Sequence, residues 1–83
     1  MPYIKPQDRS AIVVNQTNIK TAGDLNYYIT TVINSYIANQ GKKYSTLNEV
    51  VGVLECAKLE LYRRIVSPYE DTKIDENGDV YTI

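Results

Sequence analysis

The segment Asp75–Asp79, "DENGD", places three carboxylates and one amide around Gly78. Oxygen ligands of this kind are the chemistry of a calcium loop, which has a glycine at position six and a carboxylate at position one. When Gly78 is aligned with position six, Lys73 falls at position one. The alignment therefore fails where most charge is needed, and the segment is interpreted as a turn or a helix cap.

Catalytic chemistry has few candidates, because the chain has one cysteine and no histidine. Cys56 lies among apolar neighbours with no base to activate it, so we expect a core side chain. Carboxylate pairs such as Glu55 and Glu60 can divide acid and base roles, but no sequence feature places them in a pocket. We predict no catalytic residue, no metal and no cofactor, and a protein that is not an enzyme.

The segment "ECAKLELYRR", residues 55–64, is the strongest candidate for binding. Lys58 and Tyr62 share a helical face, while Arg63 and Arg64 follow at the last turns, where cations favour the helix dipole. The segment is typical of a solvated face with salt bridges between residues three apart. Alternatively, it binds an anion, because arginines bind phosphates and tyrosines stack on bases. The linker at 42–44, which has two lysines and a tyrosine, is a second and weaker candidate for anion binding.

Composition limits the class of protein. The 83 residues fit a single domain, and 9 basic against 10 acidic residues give a net charge of −1, which makes nucleic acid an unlikely partner. No apolar stretch has the length of a signal peptide or membrane span, so we expect a cytoplasmic protein. All eight aromatic residues are tyrosines, which suit half-exposed sites and interfaces.

Helices must position these residues. Pro2 and Pro6 predict an extended arm over residues 1–7, and Asp8 is an acceptable cap for a first helix to about Lys20. A second helix over 22–39 follows from Thr21 and Asp24, which resemble a capping box, and from a broad apolar stripe ended by Gly41.

The third helix is predicted over 46–66, with a capping box formed by Thr46 and Glu49. Ser67, followed by proline and glutamate, predicts a kink and a fourth helix to about Glu76, leaving 77–83 as a tail. A hairpin with strands 72–75 and 80–83 is the alternative. The prediction is an all-α domain, 1–83, built on an antiparallel pair of helices. The apolar surface of this helix pair is too wide to be covered within one copy of the chain. We therefore predict a homo-oligomer, most simply a two-fold dimer through the third helix.

Four segments carry a family resemblance: "MPYIKPQDR", "DLNYYIT", "LNEVVGVLECAKLELYRR" and "PYEDTKIDENGDVY". Together they resemble a small uncharacterised family, a domain of unknown function encoded largely by bacteriophages and by bacteria carrying prophages. The resemblance covers nearly the whole chain except residues 10–17, and it implies a short phage protein that acts on a host component or within the virion. The matching polar positions are Asn26, Tyr27, Asn48, Glu55, Lys58, Glu60, Tyr62, Arg63, Arg64, Tyr69, Glu70 and Asp71.

Three functions are consistent with these features. The leading hypothesis is a non-catalytic binding protein that engages a host protein, or an anionic nucleotide signal, in an anti-defence or host-takeover role. Its predicted binding residues are Lys58, Tyr62, Arg63, Arg64, Tyr69, Glu70, Asp71, Asn26 and Tyr27. A structural or assembly component of a virion is the second hypothesis, and a nucleic-acid-binding regulator is the third. A related hypothesis is that the acidic tail folds back onto Arg63 and Arg64, either of its own chain or of a neighbouring copy.

Overall fold

The computed structural model describes residues 3, 5–9 and 18–83. Four helices occupy these residues in the order α1 (Pro6–Arg9), α2 (Ala22–Gln40), α3 (Tyr44–Leu61) and α4 (Ser67–Asn77). A five-residue π-helical segment, Tyr62–Val66, joins α3 to α4 and is called the π turn below. None of the described residues belongs to a β-strand, and the predicted all-α class is confirmed.

The amino-terminal predictions need correction at both ends. Pro6 and Gln7, predicted to be extended, belong to α1, because the fixed φ of proline suits the first position of a helix. Residues 18–20 are a turn and coil, so no helix reaches Lys20. The rest of the predicted first helix, 10–17, lies outside the described residues.

Local capping explains both ends of α2. The Thr21 hydroxyl accepts from the backbone N–H of Asp24 at 3.0 Å, and the Asp24 carboxylate accepts from the backbone N–H of Lys20 at 3.2 Å. Gly41 ends the helix with φ 96°, and its N–H donates to the carbonyl of Ile37 at 2.8 Å. The predicted bounds, 22–39, are therefore confirmed to within one residue.

The predicted start of α3 at a Thr46–Glu49 capping box is wrong. The helix begins at Tyr44, and its cap is Lys43, whose backbone is extended and whose side chain makes no capping bond. Thr46 is only 1% exposed, and the Glu49 carboxylate accepts from the hydroxyl of Tyr36 on α2 at 3.0 Å. Glu49 is thus engaged by α2 and Thr46 is buried within α3, so neither side chain caps the helix.

The chain runs from α3 into α4 without a capped break. Ser67, predicted to cap α4, is itself helical at φ −61° and ψ −47°, and its N–H donates to the carbonyl of Tyr62, five residues back. In an α-helix the ring of Pro68 would crowd the carbonyl four residues before it. The widened π turn directly before the proline relieves this crowding, and α4 then continues to Asn77.

Gly78, with φ 86°, ends α4, so Asp75, Glu76 and Asn77 of "DENGD" are helical. Asp79 instead forms a turn in which its carboxylate accepts from the backbone N–H of Tyr81 at 2.9 Å. The predicted short fourth helix is confirmed, and the alternative hairpin is wrong because residues 72–75 are helical.

Helix α3 returns beside α2 as an antiparallel hairpin with a shallow apolar groove of about 400 Å³ between the helices. The side chains that line this hairpin groove remain accessible: Ile29 is 39% exposed, Leu54 42% and Val32 51%. Among the described residues Thr46 alone is fully buried, and no apolar side chain is. The described part of a single copy therefore has helices but no closed apolar core.

Candidate functional site

The predicted binding residues of the second half of the chain follow one another around the π turn. We call this region the junction surface; it consists of Lys58, Tyr62, Arg63, Arg64, Tyr69, Glu70 and Asp71. Every one of these residues is exposed, with Tyr62 at 51% and Tyr69 at 61%. The junction surface is therefore accessible to a partner along its whole length.

The cations of the junction surface are distributed among different neighbours. Lys58 pairs with Glu55 at 3.2 Å, and Arg63 pairs with Glu60 at 2.8 Å. Both are pairs between residues three apart on a helix, as the solvated-face interpretation predicted. Arg64 lines a groove along α3. The three charges do not converge on one ligand-sized pocket.

The π turn also changes which side chains share a face. One extra residue in a helical turn advances the following side chains by about 100°, since an α-helix has 3.6 residues per turn. Residues 69–71 therefore lie on a different side of the axis from the one that an unbroken helix would give them. The junction surface wraps around the helix and is broader than a single stripe.

Beyond the π turn, the acidic residues do not fold back onto the arginines. The Lys73 ammonium lies 5.5 Å from the ring centroid of Tyr69 and pairs with Glu76 at 3.2 Å, so this pairing is local to α4. Arg63 instead forms its ion pair with the carboxylate of Glu60 on the preceding turn. The hypothesis of an acidic tail folded onto the arginines of its own chain is wrong.

Asn26 and Tyr27, the two predicted site residues on α2, lie elsewhere. Their carbonyl oxygens accept from the hydroxyls of Thr30 and Thr31, each at 2.9 Å. In the described part of the chain α2 contacts α3 but neither the π turn nor α4. The structure thus brings together the seven residues of the junction surface and leaves Asn26 and Tyr27 apart from them.

A second feature, the small-residue groove, was missed by sequence reasoning. It is an open groove of about 830 Å³ along α3, lined by Tyr3, Glu49, Gly52, Val53, Cys56, Ala57, Glu60, Leu61, Arg64 and Ile65. The expectation that Cys56 is a core residue is wrong, because its side chain is exposed in this groove. The available signal was the recurrence of small residues every three to four positions, but the same spacing is typical of ordinary core positions in a helix.

Two hydrogen bonds shape the electrostatics of α3. The hydroxyl of Tyr3 donates to the carboxylate of Glu60, which raises the pKa of Tyr3. The same bond lowers the pKa of Glu60, with Arg63 adding to the effect and desolvation opposing it. The bond to Glu49 likewise raises the pKa of Tyr36. The carboxylate of Glu60 is therefore favoured in its ionised form by the hydroxyl of Tyr3.

Metal-ligand clusters and membrane-spanning helices are both absent from the described residues. No three histidine, cysteine, aspartate or glutamate side chains in the described ranges come close enough to hold a metal ion. None of the helices at 6–9 and 22–77 has the length and apolarity to cross a membrane.

Comparison with known proteins gives a family and no activity. No curated protein and no solved structure is detectably similar to the chain. One family model matches residues 1–80, which is nearly all of the chain, and its description is "Domain of unknown function (DUF6899)". The helical hairpin, the π turn and the junction surface are thus features of a member of this uncharacterised family, to which the chain belongs.

Proposed function

We propose that the chain is a non-catalytic binding protein of bacteriophage origin that engages a protein of the bacterial host through the junction surface. The proposal rests on the interruption of a long helix at "YRRIV", where the π turn presents Tyr62, Arg63 and Arg64 to solvent. Single π turns are rare and are frequent at functional sites. Tyrosine and arginine are also the residues most enriched among strong contributors to protein interfaces.

The charge pattern supports a protein partner over a nucleotide. Between residues 55 and 76 the sequence has four cations and six carboxylates, and three of the cations are already paired within the helix. A phosphate ligand would need several unpaired donors directed at one point. A mixed surface with aromatic groups is instead typical of the polar rim and anchors of a protein interface.

The absence of catalysis is part of this proposal. The sequence offers no histidine that could activate Cys56, the only thiol. Thiolates become reactive beside a cation or a general base. An anti-defence or host-takeover role in the bacterial cytoplasm, exerted by occupying a surface of a host protein, is consistent with these features.

Affinity capture with matched variants tests the proposal. The wild-type chain, the double variant Arg63→Ala/Arg64→Ala and the control Lys42→Ala/Lys43→Ala are each used to capture proteins from a lysate of the bacterial host. The control removes the same two positive charges from the interhelical linker. We expect a host protein that the wild type and the control retain and that the arginine variant loses.

Equal capture by all three chains would contradict the assignment of the junction surface. Titration of ATP and of cyclic dinucleotides into the wild-type chain by calorimetry adds a second arm. Nucleotide binding that disappears in Arg63→Ala/Arg64→Ala would overturn the proposal of a protein partner, and the junction surface would remain the binding site.

A second candidate is an assembly component of the virion, and the exposed apolar side chains of α2 and α3 favour it, because such surfaces are typical of subunits that pack against other chains. Mass spectrometry of purified particles separates the two functions. A structural component is present at a fixed stoichiometry, whereas a host-directed protein is absent or substoichiometric.

A further inference from the structure

The chain exposes more surface than a compact monomer of its size. Its accessible area is 7566 Å², whereas a folded monomer of this mass is expected to expose about 5,000 Å². Its radius of gyration is 17.0 Å, compared with about 12 Å for a compact domain of the same length. Because no apolar side chain of the described residues is buried, the missing contacts are those of an apolar core.

The small-residue groove is one place where such contacts are missing. Its floor is Gly52, Cys56 and Ala57, which allow another backbone to approach closely, and Leu61 stands above them toward the carboxyl end. One end carries the carboxylate of Glu49 and the other the guanidinium of Arg64; the carboxylate of Glu60, between them, is already engaged by Arg63 and Tyr3. The groove therefore has small residues at its centre and opposite charges at its ends.

We propose that a second copy of this chain occupies the small-residue groove, with α3 packed antiparallel against α3 about a two-fold axis next to Cys56 and Ala57. Antiparallel pairing about this axis puts Glu49 opposite Arg64 of the second copy and Gly52 opposite Leu61 of the second copy. By symmetry each contact occurs twice. Charge meets opposite charge at both ends, and a large side chain meets the glycine.

Charge excludes the parallel alternative. A parallel two-fold pair places each residue opposite itself, so Glu49 would face Glu49 and Arg64 would face Arg64. Like charges at such positions destabilise a helix pair. The antiparallel arrangement is the one in which the ends of the groove attract each other.

The exposed area also fits a dimer. If each copy buries half of its excess, the interface totals about 2,500 Å², within the range of obligate homodimers. The inference does not depend on the proposed function, because it concerns α3 between Glu49 and Arg64 and predicts a contact with a copy of the chain itself.

Gly52→Leu provides the decisive variant. Beyond its own helical turn, a Cβ added at Gly52 meets no described atom within 4 Å, and leucine has a higher helical propensity than glycine. In the dimer the same leucine collides with Leu61 of the second copy. Glu55→Leu is the matched control, because Glu55 lies on the opposite side of α3 with its side chain 55% exposed.

Sedimentation equilibrium measures the effect. We expect the wild type and Glu55→Leu to be dimers. Gly52→Leu should dissociate at least about tenfold more readily, because the added leucine displaces Leu61 of the second copy from its contact. Circular dichroism verifies that Gly52→Leu keeps its helix content. A monomeric wild type at about 100 μM, or a Gly52→Leu dimer as tight as the wild type, would overturn the proposal.

The single cysteine tests the position of the axis. With the axis next to Cys56, diamide accepts the two electrons and two protons that the two Cys56 thiols lose, and a disulfide joins the copies. We expect this cross-link in the wild type and its strong reduction in Gly52→Leu at the same concentration. A dimer that forms no cross-link under diamide would place the interface elsewhere, and the hairpin groove would then replace α3 as the contact.

Discussion

Gly41→Ala is expected to destabilise the helical hairpin. Gly41 has φ 96° and ψ 143°, and it is the residue at which the chain leaves α2 and turns toward α3. This backbone region is essentially restricted to glycine, and another residue held there costs about 1–3 kcal/mol. No atom lies within 4 Å of an added Cβ, so the cost is backbone strain alone and does not include a clash.

Gly78→Ala is the matched control. Gly78 has nearly the same backbone, φ 86° and ψ 153°, and it also has open space around an added Cβ. After Gly78, however, the chain is exposed coil, which can change its path without losing a contact. The same strain can therefore relax at the end of α4 but not in the linker that sets α3 against α2.

Urea unfolding followed by circular dichroism, at one protein concentration for all variants, measures the difference. We expect Gly41→Ala to lose about 1–3 kcal/mol and Gly78→Ala less than about 0.5 kcal/mol. Equal losses in both variants, or an unchanged Gly41→Ala, would refute the claim that Gly41 fixes the hairpin.

Three further predictions concern particular side chains. The pKa of Tyr36 is raised by its bond to Glu49, so the bond adds stability below the ordinary tyrosine pKa of about 10, and this stability is lost as pH rises through the folded value. Tyr36→Phe should therefore lower the urea midpoint at pH 8 and have no effect at pH 12. An equal effect at both pH values would contradict this prediction. Tyr3→Phe should raise the pKa of Glu60 toward its ordinary value, because the hydroxyl of Tyr3 is the main cause of the lowered pKa. An NMR titration of the Glu60 carboxyl carbon measures this change, and an unchanged pKa would mean that the two side chains do not meet in solution. Thr46→Lys, which buries a charge at a position 1% exposed, should cost about 3 kcal/mol in urea unfolding, whereas a lysine tolerated there would show that the hairpin is not closed at Thr46.

Sequence reasoning succeeded where the signal is local. The start of α2 depends on two side chains within four residues of each other, Thr21 and Asp24, and its end depends on one glycine. These interactions are specified by neighbouring residues, so spacing alone located both ends of the helix. The fourth helix was predicted for a similar reason, since Pro68 and Glu70 favour a helical first turn.

It failed where a distant residue competes for the same group. Thr46 and Glu49 have the spacing of a capping box, but Thr46 is buried and Glu49 accepts from Tyr36, thirteen residues earlier. The π turn was also missed, because proline at 68 predicted a break and the helix instead widened before it. The first outcome depends on a contact between distant residues, and the second on how the helix accommodates Pro68, which a break and a π turn can both do.

For the candidate site, the sequence predicted a set of residues but not their arrangement. The run from Lys58 to Asp71 was predicted as a binding surface, and the structure shows it wrapped around the helix by the π turn. The small-residue groove was hidden because Gly52, Cys56 and Ala57 have the spacing of core positions. The groove became visible only because no helix of the residues described at 5–9 and 18–83 covers this face of α3.

The central claim is that the exposed apolar helices are interaction surfaces, completed in solution by a second copy of the chain. The most direct measurement is the urea midpoint of unfolding as a function of protein concentration. A chain stabilised by self-association gains about 2.7 kcal/mol for a hundredfold excess over the dissociation constant. We expect the midpoint to rise steadily between micromolar and several hundred micromolar chain, and a midpoint independent of concentration would contradict self-association.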